Sequence, residues 1–387
     1  MKKPISIYVH IPFCLSKCLY CDFASFSGGT EDQQREYLGL LQREIGIFLK
    51  ENPDFTKDHA VRTLFIGGGT PTALSDRDFS DLLSMLEETL ALSAAEDLKE
   101  YTVEANPKTL TPAKVEAMKK FDITRISLGL QSSQPEELKA LGRIHSFEDA
   151  AESVALLRSQ GFSDINLDLM FAIPGQTLSS FTRSLEDALS LSPTHISAYS
   201  LILEEKTPLQ QLQEQGRLLL PTEEEDLLMY EKATDFLQER GYSQYEISNF
   251  AKEGRQCLHN IVYWEAKEYI SFGLSAHSHY RGRRYANSSS MEEYRSLLQK
   301  NRLPLVEEEV LTERMRFEER IFLGLRMNRG IFLPDLDRDF GVDFALIYRE
   351  KLQALLRQEL IHPDREHLRL TRKGFELSNY VIGELLS

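Results

Sequence analysis

Short apolar runs ending in Gly, Pro, Asn or polar residues recur along the first half of the chain: "ISIYVHIP", "TLFIGGGTP", "YTVEANP", "RISLGLQS", "DINLDLMFAIPG" and "HISAYSLI". Between them, apolar positions recur at helical spacing over 33–49, 78–92, 112–120, 147–160 and 179–191. Strands that alternate with helices predict parallel βα units with right-handed crossovers, arranged as a doubly wound sheet or a partial barrel. The predicted strand ends are polar: His10, the turn Gly67-Gly68-Gly69-Thr70-Pro71, Glu104, Gln131, Asp168 and Tyr199. That rim is where α/β proteins place their sites, although any one of these side chains is as well suited to cap the helix that follows.

The alternation fades after about residue 205. A helix predicted over 223–240 leads into "GYSQYEISNFA" and the aromatic, histidine-rich "CLHNIVYWEAKEYISFGLSAHSHY". The last 70 or so residues predict helices over 313–325 and 344–358, a hairpin at "LIHPDREHLRLT" and a final helix, a pattern suited to a winged-helix-like module. The expected division is therefore 1–205, 206–310 and 311–387.

Charge narrows the function. The chain of 387 residues carries a net charge of −15, so neither a phosphate backbone nor an anionic membrane surface is its natural partner. The C-terminal module from Asp335 to Ser387 has eight Lys/Arg against ten Asp/Glu and lacks a basic face for DNA. Pro4, Ser6 and His10 interrupt any apolar leader segment, and no run of 18 apolar residues offers a membrane anchor. A cytoplasmic location is expected, where thiols stay reduced and clustered cysteines bind metal or do redox chemistry.

Three of the four cysteines, Cys14, Cys18 and Cys21, fall within "HIPFCLSKCLYCDFAS". A C-x3-C-x2-C loop can hold zinc if a fourth ligand closes the set, with His10 the nearest candidate. Three cysteines without a fourth better suit a [4Fe-4S] cluster whose fourth iron has no protein ligand.

The triad at the end of the first strand, the aromatic Tyr20 before its last cysteine and the "GGGTP" turn after the second strand together resemble the radical S-adenosylmethionine (SAM) superfamily. The resemblance implies a partial (β/α)6 barrel in which Cys14, Cys18 and Cys21 hold the cluster. The open iron would chelate SAM, whose reductive cleavage yields a 5′-deoxyadenosyl radical. "YVHIPFC", "SLGLQS", "LGRIHS", "DLMFAIPGQT", "AYSLILEEKTPL" and "FLGLRMNRGI" narrow the resemblance to the oxygen-independent coproporphyrinogen III oxidase family, over nearly the whole chain. By that resemblance Tyr8, Gly67, Gly68, Gly69, Thr70, Glu104, Gln131, Arg143 and Asp168 contact SAM. Glycines without a Cβ also allow close backbone approach, or simply a tight turn.

The family has a decarboxylating branch and a heme-chaperone branch. The decarboxylase carries another cysteine two residues beyond the triad and an extension before the first strand. Here Asp22 and Phe23 follow Cys21, and 13 residues precede Cys14. "HNIVYW" at His259 to Trp264 matches the H-N-x-x-Y-W motif of the chaperone branch. The resemblance thus implies heme as ligand, His259 as its iron ligand, and Tyr263 and Trp264 against the porphyrin. The same residues also suit a helix cap whose aromatics fill a core. Cys257, His277 and His279 are weaker heme candidates, Cys257 being better suited to burial. Implied partners are heme-acceptor proteins, respiratory ones among them, met transiently, and a second copy in a homodimer.

Overall fold

The computed structural model describes residues 2–92 and 97–386. All six strands read from the first half form: β1 (Lys3–Ile11), β2 (His59–Gly68), β3 (Glu100–Ala105), β4 (Arg125–Gln131), β5 (Ile165–Phe171) and β6 (His195–Ser200). They pair in parallel and in chain order, each strand lying beside its predecessor. The intervening helices include Glu31–Glu51, Asp76–Leu90, Pro112–Lys120, Phe147–Ser159 and Leu178–Ser190, within two residues of the expected bounds. Capping boxes start three of the helices that flank this sheet: Thr30 with Gln33, Ser146 with Asp149 and Thr177 with Ser180. In each, side chains satisfy amides that the first turn leaves unpaired.

Strand alternation sorts the two faces. Ile5, Ile7, Val9 and Ile11 of β1, Ile126, Leu128 and Leu130 of β4, and Ile165, Leu167 and Leu169 of β5 are buried in one large core. The register places Ser127, Asn166 and His195 side by side, and Gly129, Asp168 and Ser197 in the next row. These polar residues face a single cavity of about 510 Å³ lined from β2 through β6. The sheet therefore curls around a polar lumen and buries its apolar face under helices, the partial (β/α)6 barrel expected from the sequence.

Residues 206–310 extend this sheet at both edges, which the fading alternation did not foretell. β7 (Ser243–Glu246) and β8 (Asn249–Ala251) add antiparallel strands beyond β6. β9 (Tyr269–Phe272) returns to lie parallel to β1, and β10 (His277–Tyr280), β11 (Arg283–Asn287) and β12 (Leu305–Val310) continue outward from it. Among the described residues the sheet has 12 strands in the order β12-β11-β10-β9-β1-β2-β3-β4-β5-β6-β8-β7. Sequences such as "HSHY", "RRYAN" and "LVEEEV" carry no apolar run, so their strand character comes from the neighbours they pair with.

The C-terminal residues build their own core from Ile321, Leu325, Leu336, Phe344, Leu355 and Val381 among others. Helices Glu313–Gly324, Leu333–Phe340 and Arg349–Arg357 surround a ribbon in which Ile331–Phe332 pairs with His367–Leu368, flanked by an Ile361–Leu370 bridge. This is the helical, winged-helix-like module. The helix expected over 344–358 breaks at Tyr348, whose ring stacks on Phe344 at 4.4 Å.

Candidate functional site

Cys14 ends a two-residue strand after β1, and all three N-terminal cysteines are free thiols lining the lumen mouth. Their loop is tied down at its centre: the Leu19 amide donates to Leu141 O at 3.0 Å, and the Leu209 amide to Leu19 O at 3.0 Å. Burial pushes the Cys14 and Cys21 thiols up. His10 is not free to close a zinc set. Its Nε2 donates to Ala24 O at 2.9 Å, and its Nδ1 accepts from the Tyr8 hydroxyl at 3.2 Å.

The glycine turn packs directly on this loop. Gly69 and Thr70 amides donate to Ile11 O at 2.8 Å and Phe13 O at 2.7 Å, and Thr70 Oγ1 reaches Cys14 Sγ at 3.6 Å. From Thr70 a polar chain runs across the rim. Asn106 Nδ2 donates to Thr70 Oγ1 at 2.7 Å, Arg143 Nη1 to Asn106 Oδ1 at 2.6 Å, and Arg143 Nη2 to the Tyr20 hydroxyl at 2.8 Å, back in the cysteine loop. Arg143 Nε is buried without a partner. An open guanidinium N–H beside a thiol loop fits a carboxylate ligand in the lumen.

Glu104 and Asp168 supply the acidic wall. The Gly68 amide donates to Glu104 Oε2 at 3.0 Å, and a Cβ on Gly67 would stand 2.7 Å from that oxygen, so the glycines let the carboxylate sit against the turn. Gly68 itself has φ +109°, a conformation suited to glycine. Burial, then the neighbouring Asp168 charge, push Glu104 up to about 8 despite the Gly68 hydrogen bond. Burial also raises Asp168, opposed by hydrogen bonds from Ser197, Asn166 and Ser127 and by the Arg143 charge. Gln131, at φ +66°, accepts from the Tyr199 hydroxyl at 2.9 Å. Gly68, Gly69, Thr70, Glu104, Gln131, Arg143 and Asp168 thus meet the cysteines in one cavity, whereas Tyr8 and Gly67 stand behind its lining. Asn106, Ser127, Asn166 and Ser197 were not singled out from sequence. For Ser127, Asn166 and Ser197 the signal was the period-two alternation of polar residues inside otherwise apolar strands.

The H-N-x-x-Y-W segment forms a seven-residue helix, Leu258–Trp264, beside β2. Glu100 at the start of β3 holds its first turn: Oε2 accepts from the Leu258 amide at 2.8 Å, and Oε1 from the His259 amide at 3.0 Å and the Cys257 thiol at 3.3 Å. His259 is 1% exposed and lies against Phe65 and Tyr8, with burial lowering its pKa to about 3. Thr63 gives its hydroxyl proton to Ser6 at 2.7 Å, so His259 Nδ1–H donates to Thr63 at 2.8 Å. That leaves the Nε2 lone pair to accept from the Tyr263 hydroxyl, also at 2.8 Å. Tyr263 stacks edge-on against Tyr269 at 4.6 Å, and the Trp264 indole N–H is buried without a partner. Cys257 is buried and lines the lumen; His277 is exposed on β10, His279 is buried, and neither lines the cavity.

Comparison with known proteins agrees with this architecture. The radical SAM superfamily model matches residues 8–188, and the HemN C-terminal domain model matches residues 311–377. Proteins named heme chaperone HemW are 37% identical in Lactococcus lactis, over 100% of this chain and 98% of that protein, and 37% identical in Bacillus subtilis, over 98% and 99%. The solved coproporphyrinogen III oxidase (HemN) of Escherichia coli, described as a radical SAM enzyme, has the same fold, with a TM-score of 0.83 at 22% identity over 100% of this chain and 91% of that one. By sequence over its whole length and by fold, the chain belongs to the radical SAM superfamily, in the coproporphyrinogen oxidase-like family, with the heme chaperones named HemW.

Proposed function

We propose that the chain is a heme chaperone that receives heme at the Leu258–Trp264 helix and passes it to acceptor proteins, under the control of a [4Fe-4S] cluster and SAM. Cys14, Cys18 and Cys21 would hold the cluster. Gly68, Gly69, Thr70, Glu104, Gln131, Arg143 and Asp168 would hold SAM, with Tyr8 and Gly67 supporting them from behind the lining. Bound there, the pair supplies a reducing electron next to a sulfonium that can accept it. The chain's own contribution is positional: the Thr70–Asn106–Arg143–Tyr20 chain fixes the thiol loop against the SAM wall. Arg143, with one buried N–H lacking a partner, would receive a carboxylate at the lumen wall. Free thiols throughout support a reducing, cytoplasmic setting.

The observation that carries the heme reading is the His259 tautomer. A buried donor pair aims the proton of Nδ1 at Thr63 and leaves Nε2 as the basic nitrogen, the form a metal ligand requires. Only the Tyr263 hydroxyl occupies that lone pair, and it belongs to the same helix. Because His259 is buried, the helix must swing outward before a porphyrin can reach it. That displacement breaks the Glu100 bonds to the first turn, the His259–Thr63 bond and the bond of the Cys257 amide to the Tyr245 hydroxyl.

The test is an anaerobic heme titration of the cluster-reconstituted protein, followed by absorbance, beside a coproporphyrinogen decarboxylation assay on the same sample. One heme bound per chain, lost in His259→Ala, with no decarboxylation, is the expected result. Decarboxylation with SAM cleavage would overturn it in favour of an oxidase.

A further inference from the structure

One face of β2 serves both ligands of the proposed function. Side chains two apart share a face of a strand, so Thr63, Phe65 and Gly67 stand in one row about 13 Å long. Thr63 accepts the hydrogen bond from His259 Nδ1 at 2.8 Å. The Phe65 ring lies 5.1 Å from the His259 ring, and the Tyr8 ring, on the paired residue of β1, stands 6.1 Å from Phe65 and 6.5 Å from His259. At Gly67 a Cβ would meet Phe65 Cε1 at 2.9 Å and Glu104 Oε2 at 2.7 Å, so ring and carboxylate share the space that the glycine leaves.

Phe65 is also the large apolar side chain of β2 that is not sealed. Leu64 and Ile66 are 0% exposed, whereas Phe65 is half-buried and lines the lumen together with Gly68 and Glu104. The heme helix reaches the same cavity. Cys257, at its N-cap, and Asn260, in its first turn, both line the lumen. The helix is therefore part of the wall around the space assigned to SAM, and Phe65 touches both His259 and that space. A ligand moves an equilibrium only by binding its two states unequally. The two states here are the helix in place and the helix swung out, as heme at His259 requires. In place, the helix supplies the wall at Cys257 and Asn260 and keeps His259 against the Phe65 ring. Swung out, it removes both, so SAM meets the complete wall in the first state alone and heme binds the second alone.

We propose that SAM in the lumen latches the Leu258–Trp264 helix shut through Phe65 and Asn260, so that SAM and heme bind antagonistically, with Phe65 the positioning residue that carries the coupling. The latch rests on the SAM and heme assignments of the proposed function. Reciprocity follows from linkage: the factor by which SAM weakens heme is the factor by which heme weakens SAM.

The experiment has two arms on the anaerobic, cluster-reconstituted protein. The first is hydrogen–deuterium exchange of the heme-free chain with and without saturating SAM, read on the amides of residues 258–265. The second is a pair of titrations, heme with and without SAM and SAM with and without heme. In the wild type SAM is expected to slow exchange of the helix amides and to weaken heme, each by about fivefold or more, with heme weakening SAM by the same factor. Phe65→Leu keeps an apolar side chain on β2 and removes the ring, and should bring both effects to within about twofold of none. Because coupling is a ratio, it is read whatever the variant does to either affinity alone. SAM binding that leaves helix exchange unchanged, heme and SAM that bind independently or tighten each other, or full coupling in Phe65→Leu would each overturn the proposal. If Phe65→Leu does not fold, Asn260→Ala takes its place, with a reduced ratio expected and an undiminished one counting against the latch. If heme does not bind, the chaperone reading falls, and the exchange arm still decides whether SAM closes the helix. If SAM does not bind, the cofactor reading falls and the latch with it.

Discussion

Replacing Glu104 by Gln separates what the buried carboxyl does for stability from what it does for ligand. In the folded chain its pKa rises from 4.5 to about 8, chiefly through burial, while the unfolded chain keeps the ordinary value. Between those values the folded state holds a proton that the unfolded state has released, so stability falls as pH rises and is lowest above 8. One proton gives a slope of about 1.4 kcal/mol per pH unit, and the full window amounts to about 4–5 kcal/mol. Glutamine keeps an oxygen for the Gly68 amide and has no charge to desolvate. Urea unfolding of cluster-loaded, SAM-free protein at pH 5.5, 7.0 and 8.5 should show wild type and Glu104→Gln converging at low pH, with the variant more stable by several kcal/mol at pH 8.5. The same variant should bind SAM at least tenfold more weakly. Parallel pH profiles for the two proteins would refute the reasoning, because they would mean that Glu104 does not titrate across this window.

Cys18→Ser should abolish cluster absorbance and bound iron after reconstitution while leaving the far-ultraviolet circular dichroism of the apoprotein unchanged. Gly68→Ala forces a side chain onto φ +109° and a methyl group against the His10 ring, and should lower stability by about 1–3 kcal/mol in urea melts; a loss within 0.5 kcal/mol, roughly the range of surface substitutions, would contradict the strain. His259→Ala leaves the Tyr263 hydroxyl without its acceptor in a buried site and should cost about 2–3 kcal/mol as well as heme binding. Trp264 is the sole tryptophan, so heme entry beside it should quench intrinsic fluorescence in a stopped-flow trace whose rate levels off with heme concentration. A rate that keeps rising linearly would argue that the helix need not open first.

The six parallel strands and their helices were legible because βα units are built from local patterns: an apolar run, a turn signal, a capped amphipathic stretch. The flanking strands were not. β10, β11 and β12 carry histidines, arginines and glutamates and become strands only by pairing outward from β9, which itself needs β1. The cysteine loop and glycine turn announced themselves by spacing. Asn106 did not, since an asparagine before Pro107 reads as turn chemistry until the fold brings Arg143 and Thr70 to either side of its amide. The sequence showed His259 as a motif member, but nothing local could reveal its tautomer, which is set by Thr63 some two hundred positions earlier.

The order of strands also has a consequence for synthesis on the ribosome. β1 through β6 are added one beside another as the chain emerges, so one edge of the growing sheet is always extended by the next segment to leave the tunnel. The opposite edge of β1, beside the cysteine loop, stays bare until β9 arrives more than 250 residues later. A nascent chain halted before Tyr269 therefore displays an uncovered parallel edge next to three free thiols, the two features most prone to intermolecular pairing and oxidation. Prompt metal loading and holdase protection during translation would matter more for this topology than for one whose first strand is covered early.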